Sequence, residues 1–242
     1  MLESKSRGTS RTWPPSSLPH WGCEVDSQVR THPAAAITLR LLAATPGGPE
    51  LVGVDGRSGS GKTRLAAGLA ENLRGHRKSV VVITMDDLYP GWDGLSASLP
   101  RLCAGVIKPL SRGCAGAYER YDWGTERFAE TVDVPLADVV IIEGVGATAH
   151  PCRAALTTTV WVHASPLVRR ERARRRTDQG DFAPHADRWA AQEDELFGAD
   201  TYPKAPAGYD FVVDTDKETD ERTDPEMVLR SQQHTVVSRA DG

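Results

Sequence analysis

The chain has 242 residues, a net charge of −4 and an isoelectric point near 6.0, a length that fits one ordinary domain with tails. That charge balance argues against nucleic acid or an anionic membrane as the main partner, and no apolar run is long enough to span a bilayer. The hydrophobic share of 39% is low for a fully folded chain, so part of it is expected to stay outside any core.

Residues 1–33 are rich in Ser, Pro, Thr and Arg, without periodicity and without the apolar stretch that a signal peptide requires. They read as a disordered extension. Residues 34–42 combine helix formers with an apolar side and end before Thr45-Pro46-Gly47-Gly48, a turn signal. A helix covering the sheet ahead of the first strand fits. The folded domain is expected over residues 34–216.

The apolar run Leu51, Val52, Val54 leads into Gly56-Arg57-Ser58-Gly59-Ser60-Gly61-Lys62-Thr63, which fills G-x-x-x-x-G-K-[ST], the P-loop pattern. Glycines at 56, 59 and 61 let the backbone curl so that N–H groups converge on phosphate oxygens, and the helix that follows adds the positive end of its dipole. Lys62 is expected to reach the β and γ phosphates of a nucleoside triphosphate, and the Thr63 hydroxyl to be a ligand of Mg²⁺, which needs hard oxygen donors. Leu65, Leu69 and Leu73, with Ala66 and Ala70 beside them, give that helix one apolar face, and Gly75 ends it.

Four further β-branched or apolar runs follow, at residues 80–84, 139–142, 157–162 and 211–213. Short continuous apolar runs separated by helical spacers are the signature of buried parallel strands. The expected fold is therefore α/β: a P-loop NTPase three-layer sandwich with a five-stranded parallel sheet, helices on both faces and a helical lid. In such sheets ligands gather beyond the carboxyl ends of the strands. Glu143 ends the third run and is placed to hold Mg²⁺. Asp86 and Asp87 end the second. Transfer of a γ-phosphoryl group to a hydroxyl needs a base beside the metal, and Asp86 is the candidate, touching Mg²⁺ as well. Strand alternation sends Asp86 and Asp87 in different directions, so one of the two faces the phosphates.

Residues 95–117 read as a helix and then a loop, broken at Pro100 and Pro109. Residues 117–123 (AYERYDW) form an aromatic and charged cluster, either a platform for a flat polar substrate or a hairpin with Tyr and Trp on its faces. After the fourth run, Ser165-Pro166 starts a helix that carries six arginines in eight residues (169, 170, 172, 174, 175 and 176). Nucleic-acid or acidic-lipid binding is one reading of them. A lid that closes over a triphosphate is the better one, with residues 179–181 as its flexible end. Residues 184–197 return the chain as a helix with Trp189, Leu196 and Phe197 on its apolar side. The alternating charges of residues 217–242 read as a solvated, flexible tail with one short helix near 226–231. Cys23, Cys103, Cys114 and Cys152 lack C-x-x-C or metal-ligand spacing, so reduced thiols in a cytoplasmic protein are expected.

The ordered set GRSGSGKT, ITMDDLY, YDW, ETVDVPLADVVIIEGVGA and the arginine-rich segment resembles the uridine kinase-like branch of P-loop small-molecule kinases, over about residues 49–215. The segment DDLYPGWDGL (86–95) is similar to ATP-binding proteins of actinobacteria. The resemblance implies that Asp86 is the catalytic aspartate, that Tyr89, Tyr121 and Asp122 line the acceptor pocket, and that Glu143 sits near Mg²⁺. It further implies that Arg169, Arg172 and Arg176 are lid arginines. Uridine kinases carry a histidine shortly after the Tyr-Asp pair, where this chain has Gly124 to Arg127, and Arg176-Thr177 stands where Arg-Asp usually closes the lid. What the resemblance implies is thus ATP- and Mg²⁺-dependent phosphorylation of a hydroxyl on a nucleoside-like or other small polar metabolite. An ATP-binding regulatory module is the alternative, and self-association is open.

Overall fold

A computed structural model describes residues 33–44, 47–149, 151–175 and 182–216. The expected extension and tail, the turn at Thr45-Pro46, Arg176 and the segment 179–181 lie outside these, except that Pro33 opens the first helix.

The five apolar runs pair as one parallel sheet in the order β2-β5-β1-β6-β7, formed by β1 (Glu50–Asp55), β2 (Val80–Thr84), β5 (Val139–Glu143), β6 (Thr158–His163) and β7 (Phe211–Asp214). β1 is central, in register with β5 (Val52 opposite Ile141) and β6 (Val54 opposite Val160). Because side chains alternate along a strand, the sheet separates two cores. Val52, Val54, Val139, Ile141, Val160, Val162 and Val213 pack with α1 (Pro33–Leu42) and the Leu65, Leu69 and Leu73 face of α2 (Lys62–Gly75). Leu51, Val140 and Ile142 pack on the other side with Met85, Leu88, Tyr89 and α3 (Leu95–Leu102). Each such fully buried aliphatic contributes roughly 1.5–3 kcal/mol, which anchors the strand ends that carry the polar residues discussed below.

Two sequence expectations change. The helix that starts at Leu95 does not stop at Pro100. It runs through it, widens into a π turn at Cys103–Ile107 and ends with α4 (Lys108–Leu110). A π turn resets the hydrogen-bond register, so Pro109 enters the final turn where its missing N–H is tolerated; burial of Leu99, Leu102, Val106, Ile107 and Leu110 holds the whole length against the sheet. The thiol expectation also fails. Cys103 and Cys152 form a disulfide with Cα atoms 5.5 Å apart, because the π turn and the turn before Arg153 meet in the same core, a juxtaposition that the 49-residue spacing hides. Cys114 is a free, exposed thiol.

Residues 117–123 fall within a hairpin of β3 (Gly116–Asp122) and β4 (Arg127–Val134), antiparallel with an irregularity between Glu119 and Tyr121. The arginine helix is α5 (Pro166–Arg175), and α6 (Ala186–Phe197) follows a short 3₁₀ turn. Among the described residues no helix is long and apolar enough to cross a membrane.

Candidate active site

The carboxyl ends of β1, β2 and β5 open on one cavity of about 690 Å³. Its floor is the P-loop. Gly59 has φ +76, and a Cβ there would come within 2.4 Å of the Arg169 carbonyl oxygen, so glycine is required both for the turn and for the approach of α5. Gly61 (φ +96) precedes α2 as its N-cap without any side-chain cap, which leaves the first N–H groups of that helix directed to the cavity floor. Lys62 is buried and donates to the Arg57 carbonyl at 3.0 Å. Burial lowers its pKa, and the Glu143 and Glu193 carboxylates pull it back up.

At the end of β5, Glu143 receives the Thr63 hydroxyl at 3.3 Å on each carboxylate oxygen. Burial raises the Glu143 pKa and Lys62 opposes that shift. A hydroxyl and a carboxylate presented side by side are hard oxygen donors of the kind Mg²⁺ takes alongside phosphate oxygens and water. No cluster of three or more acidic, His or Cys side chains with metal-site geometry occurs among the described residues. The Ser60 hydroxyl, further round the loop, is buried with no hydrogen-bond partner.

The two acids after β2 diverge. Asp86 lines the cavity, whereas Asp87 turns to the hairpin and accepts from the Tyr118 hydroxyl at 3.0 Å. Trp123 donates its indole N–H to the Asp86 carbonyl at 2.9 Å, so the hairpin is fastened to the turn that presents the Asp86 carboxylate. Tyr89 is buried with its hydroxyl donating to the Val145 carbonyl at 2.8 Å, and its ring lines the cavity. Tyr121 lies behind this wall, edge-on to Trp123 and Phe128. Asp122 caps the hairpin turn by accepting from the N–H groups of Gly124 and Thr125; neither Tyr121 nor Asp122 is among the lining residues.

The arginine helix docks on the outer side of the P-loop. Arg169 donates to the carbonyls of Ala164 (3.2 Å) and Ser58 (3.5 Å) and pairs with Asp200. Arg172 donates to the Gly59 carbonyl at 3.3 Å and to Thr215. In this conformation both guanidinium groups brace the loop from behind and do not line the cavity. Ala173 does.

Several site residues carry no motif. Asp55, the last residue of β1, is fully buried and accepts from the N–H groups of Gly56 (2.7 Å), Gly146 and Thr148 (2.8 Å each) and from the Thr148 hydroxyl (2.7 Å); burial pushes its pKa up while these donors pull it down. It ties the P-loop to the segment after Glu143. Glu193 of α6 is 2% exposed. It accepts from the Ser58 N–H at 2.7 Å and lies 3.7 Å from Arg57 and 4.0 Å from Arg169. Four residues earlier on the same face, Trp189 closes the cavity together with Trp92, Phe182 and His185. The acid at the end of an apolar strand and the Trp189/Glu193 spacing on one helix face are signals for Asp55 and Glu193. Nothing in the pattern singled out Trp92, which sits in a turn.

No protein-family model matches the chain, and no curated protein matches it. Among solved structures it is similar to a possible uridine kinase from Bacillus stearothermophilus, at 23% identity over 69% of this chain and 95% of that one, with a TM-score of 0.49. It is also similar to D-glycerate 3-kinase from Cryptococcus neoformans var. grubii, at 17% identity over 75% and 92% of the two chains, with a TM-score of 0.46. These neighbours are kinases by name, at low sequence identity.

Proposed function

We propose that the chain is an ATP- and Mg²⁺-dependent phosphotransferase that phosphorylates a hydroxyl of a small polar metabolite. The observation that carries this reading is the convergence on one cavity, from the N-terminus of α2 and the ends of β5 and β2, of Lys62, Thr63, Glu143 and Asp86. A site for binding alone has no need of the last of these.

In this reading the N–H groups of residues 59–63 hold the triphosphate and Lys62 neutralises charge on its terminal phosphates. Thr63 and Glu143 would hold Mg²⁺, which when bound would offset the charge that builds on the β and γ phosphates. The acceptor oxygen attacks the terminal phosphorus and the bond to the β–γ bridging oxygen breaks. Its electron pair leaves with ADP, and the acceptor proton passes to the Asp86 carboxylate. Arg169 and Arg172, by bracing the Ser58 and Gly59 carbonyls, keep the loop's N–H groups aimed inward.

Asp86→Asn tests the reading. The amide keeps the shape but cannot accept the proton, so kcat falls roughly 10²–10⁴-fold while MgATP binds with unchanged Kd by calorimetry. Full turnover in the Asn variant excludes Asp86 as the base.

A further inference from the structure

The end of the cavity away from the P-loop has its own chemistry. Its walls are Tyr89, Trp92, Trp123, Phe182, His185 and Trp189. Trp92 lies 4.7 Å from Trp123 at 54°, is stacked on His185 at 4.6 Å, and meets Trp189 at 88°. Tyr89 in turn meets Trp189 at 71°. Rings in crossed planes make the corner of a box. A flat heterocycle is best held in a slot between parallel faces, whereas a compact cation is attracted by ring faces from several directions at once.

Charge points the same way. Among the described lining residues Lys62 is the one Lys or Arg, and it lies at the P-loop end; the others with formal charge are Asp86, Glu126 and Glu143. Glu143 belongs to the metal end beside Thr63, so the carboxylate that an acceptor meets at the aromatic rim is Glu126. Glu126 adds a separate observation: it has φ +52 at the tip of the β3–β4 hairpin, a conformation that glycine adopts without strain. A carboxylate thus occupies a glycine-type position on the rim of an aromatic box, three residues after the Trp123 ring that is fastened to Asp86.

We infer that the acceptor is a hydroxyl-bearing organic cation. Its positive nitrogen lies against the Trp92 and Trp123 rings and the Glu126 carboxylate, with its hydroxyl toward Asp86. The fate of that hydroxyl rests on the phosphotransferase reading; the binding of the cation does not.

The two are separated by measuring binding without nucleotide. Tryptophan fluorescence of the full chain is titrated with choline, ethanolamine and hydroxyethylpyridinium, and with two controls: glycerate, and the uncharged isostere of choline in which carbon replaces nitrogen. The expected result is that at least one cation binds about tenfold more tightly than the neutral isostere, and that Glu126→Gln, which leaves the hairpin folded by circular dichroism, shrinks that ratio to within about twofold. Equal binding of cations and isostere, tighter binding of glycerate, no binding of any probe, or a ratio unchanged in Glu126→Gln overturns the inference. ADP formation with a neutral or anionic alcohol would overturn it and leave the phosphotransferase reading standing. Cation binding without ADP formation would support it and count against that reading.

Discussion

Glu193 is a buried carboxylate on a helix whose neighbours are mostly exposed, and its partners explain why it is there. It takes the Ser58 N–H at 2.7 Å and shares Arg57 with Asp194, which itself accepts from Arg57 at 2.7 Å. Removing it leaves a buried N–H without an acceptor and a guanidinium with one carboxylate where two stood. Glu193→Ala should therefore cost about 2 kcal/mol in urea denaturation, while Glu193→Gln, whose amide oxygen still accepts from Ser58, recovers about half of that. Equal losses in the two variants would mean that charge, and not the hydrogen bond, is what matters at this position. Asp55 belongs to the same class: four donors converge on it. Both residues lie outside the P-loop motif because they act on the backbone of the loop from behind it, and only the weaker signals of strand end and helix spacing mark them.

At the scale of elements, α5 and the P-loop are joined by backbone proximity. The Arg169 carbonyl oxygen lies 2.4 Å from where a Cβ on Gly59 would be, and the Arg172 side chain closes on the Gly59 carbonyl. Gly59→Ala must push α5 away or collapse the loop, so MgATP affinity should fall at least about tenfold, roughly 1.4 kcal/mol, by calorimetry. Gly75→Ala is the matched control. It lies at the end of α2 with nothing within 4 Å of the added methyl, and it should leave affinity unchanged and raise stability by up to about 1 kcal/mol. An unchanged affinity in Gly59→Ala would contradict the bracing role of α5. The strands and the P-loop helix were legible because burial imposes its period on the sequence. The course of residues 95–110 was not, since prolines that normally end a helix are absorbed here by a π turn and a continuous apolar face. The orientation of the arginines was equally hidden: six of them in eight residues cover every face, and although the resemblance picks out Arg169 and Arg172, that both turn to the Ser58 and Gly59 carbonyls behind the P-loop comes from the packing.

On the phosphotransferase reading, the molecule as a whole places a donor half and an acceptor half on one cavity and links them twice. One link is α6, which offers Glu193 to the P-loop and Trp189 to the aromatic wall. The other is the segment that follows Glu143, whose Val145 carbonyl accepts from Tyr89 of the aromatic wall and which runs on to the Cys152 end of the disulfide. Closing a 49-residue loop, that disulfide should contribute about 2–4 kcal/mol. Cys103→Ser with Cys152→Ser is expected to lower the unfolding free energy from urea denaturation by that amount, whereas Cys114→Ser should leave it unchanged. A double variant as stable as the parent would show that the two cysteines are not joined in the folded protein. The donor half was readable from spacing alone, because phosphate and metal chemistry dictate residue types at fixed intervals. The acceptor half comes from a turn, a hairpin and a helix brought together by the fold, so no spacing in the sequence marks Trp92, Phe182 and His185 as neighbours.

The most direct measurement of the central reading is ADP formation by the purified chain with MgATP across a panel of hydroxylated metabolites, with Lys62→Ala as the blank. Phosphotransfer predicts that one class of alcohol raises ADP release well above the rate without acceptor, that the alcohol emerges as its phosphate ester, and that Lys62→Ala abolishes both. ADP release that no alcohol stimulates, or that persists in Lys62→Ala, would contradict it.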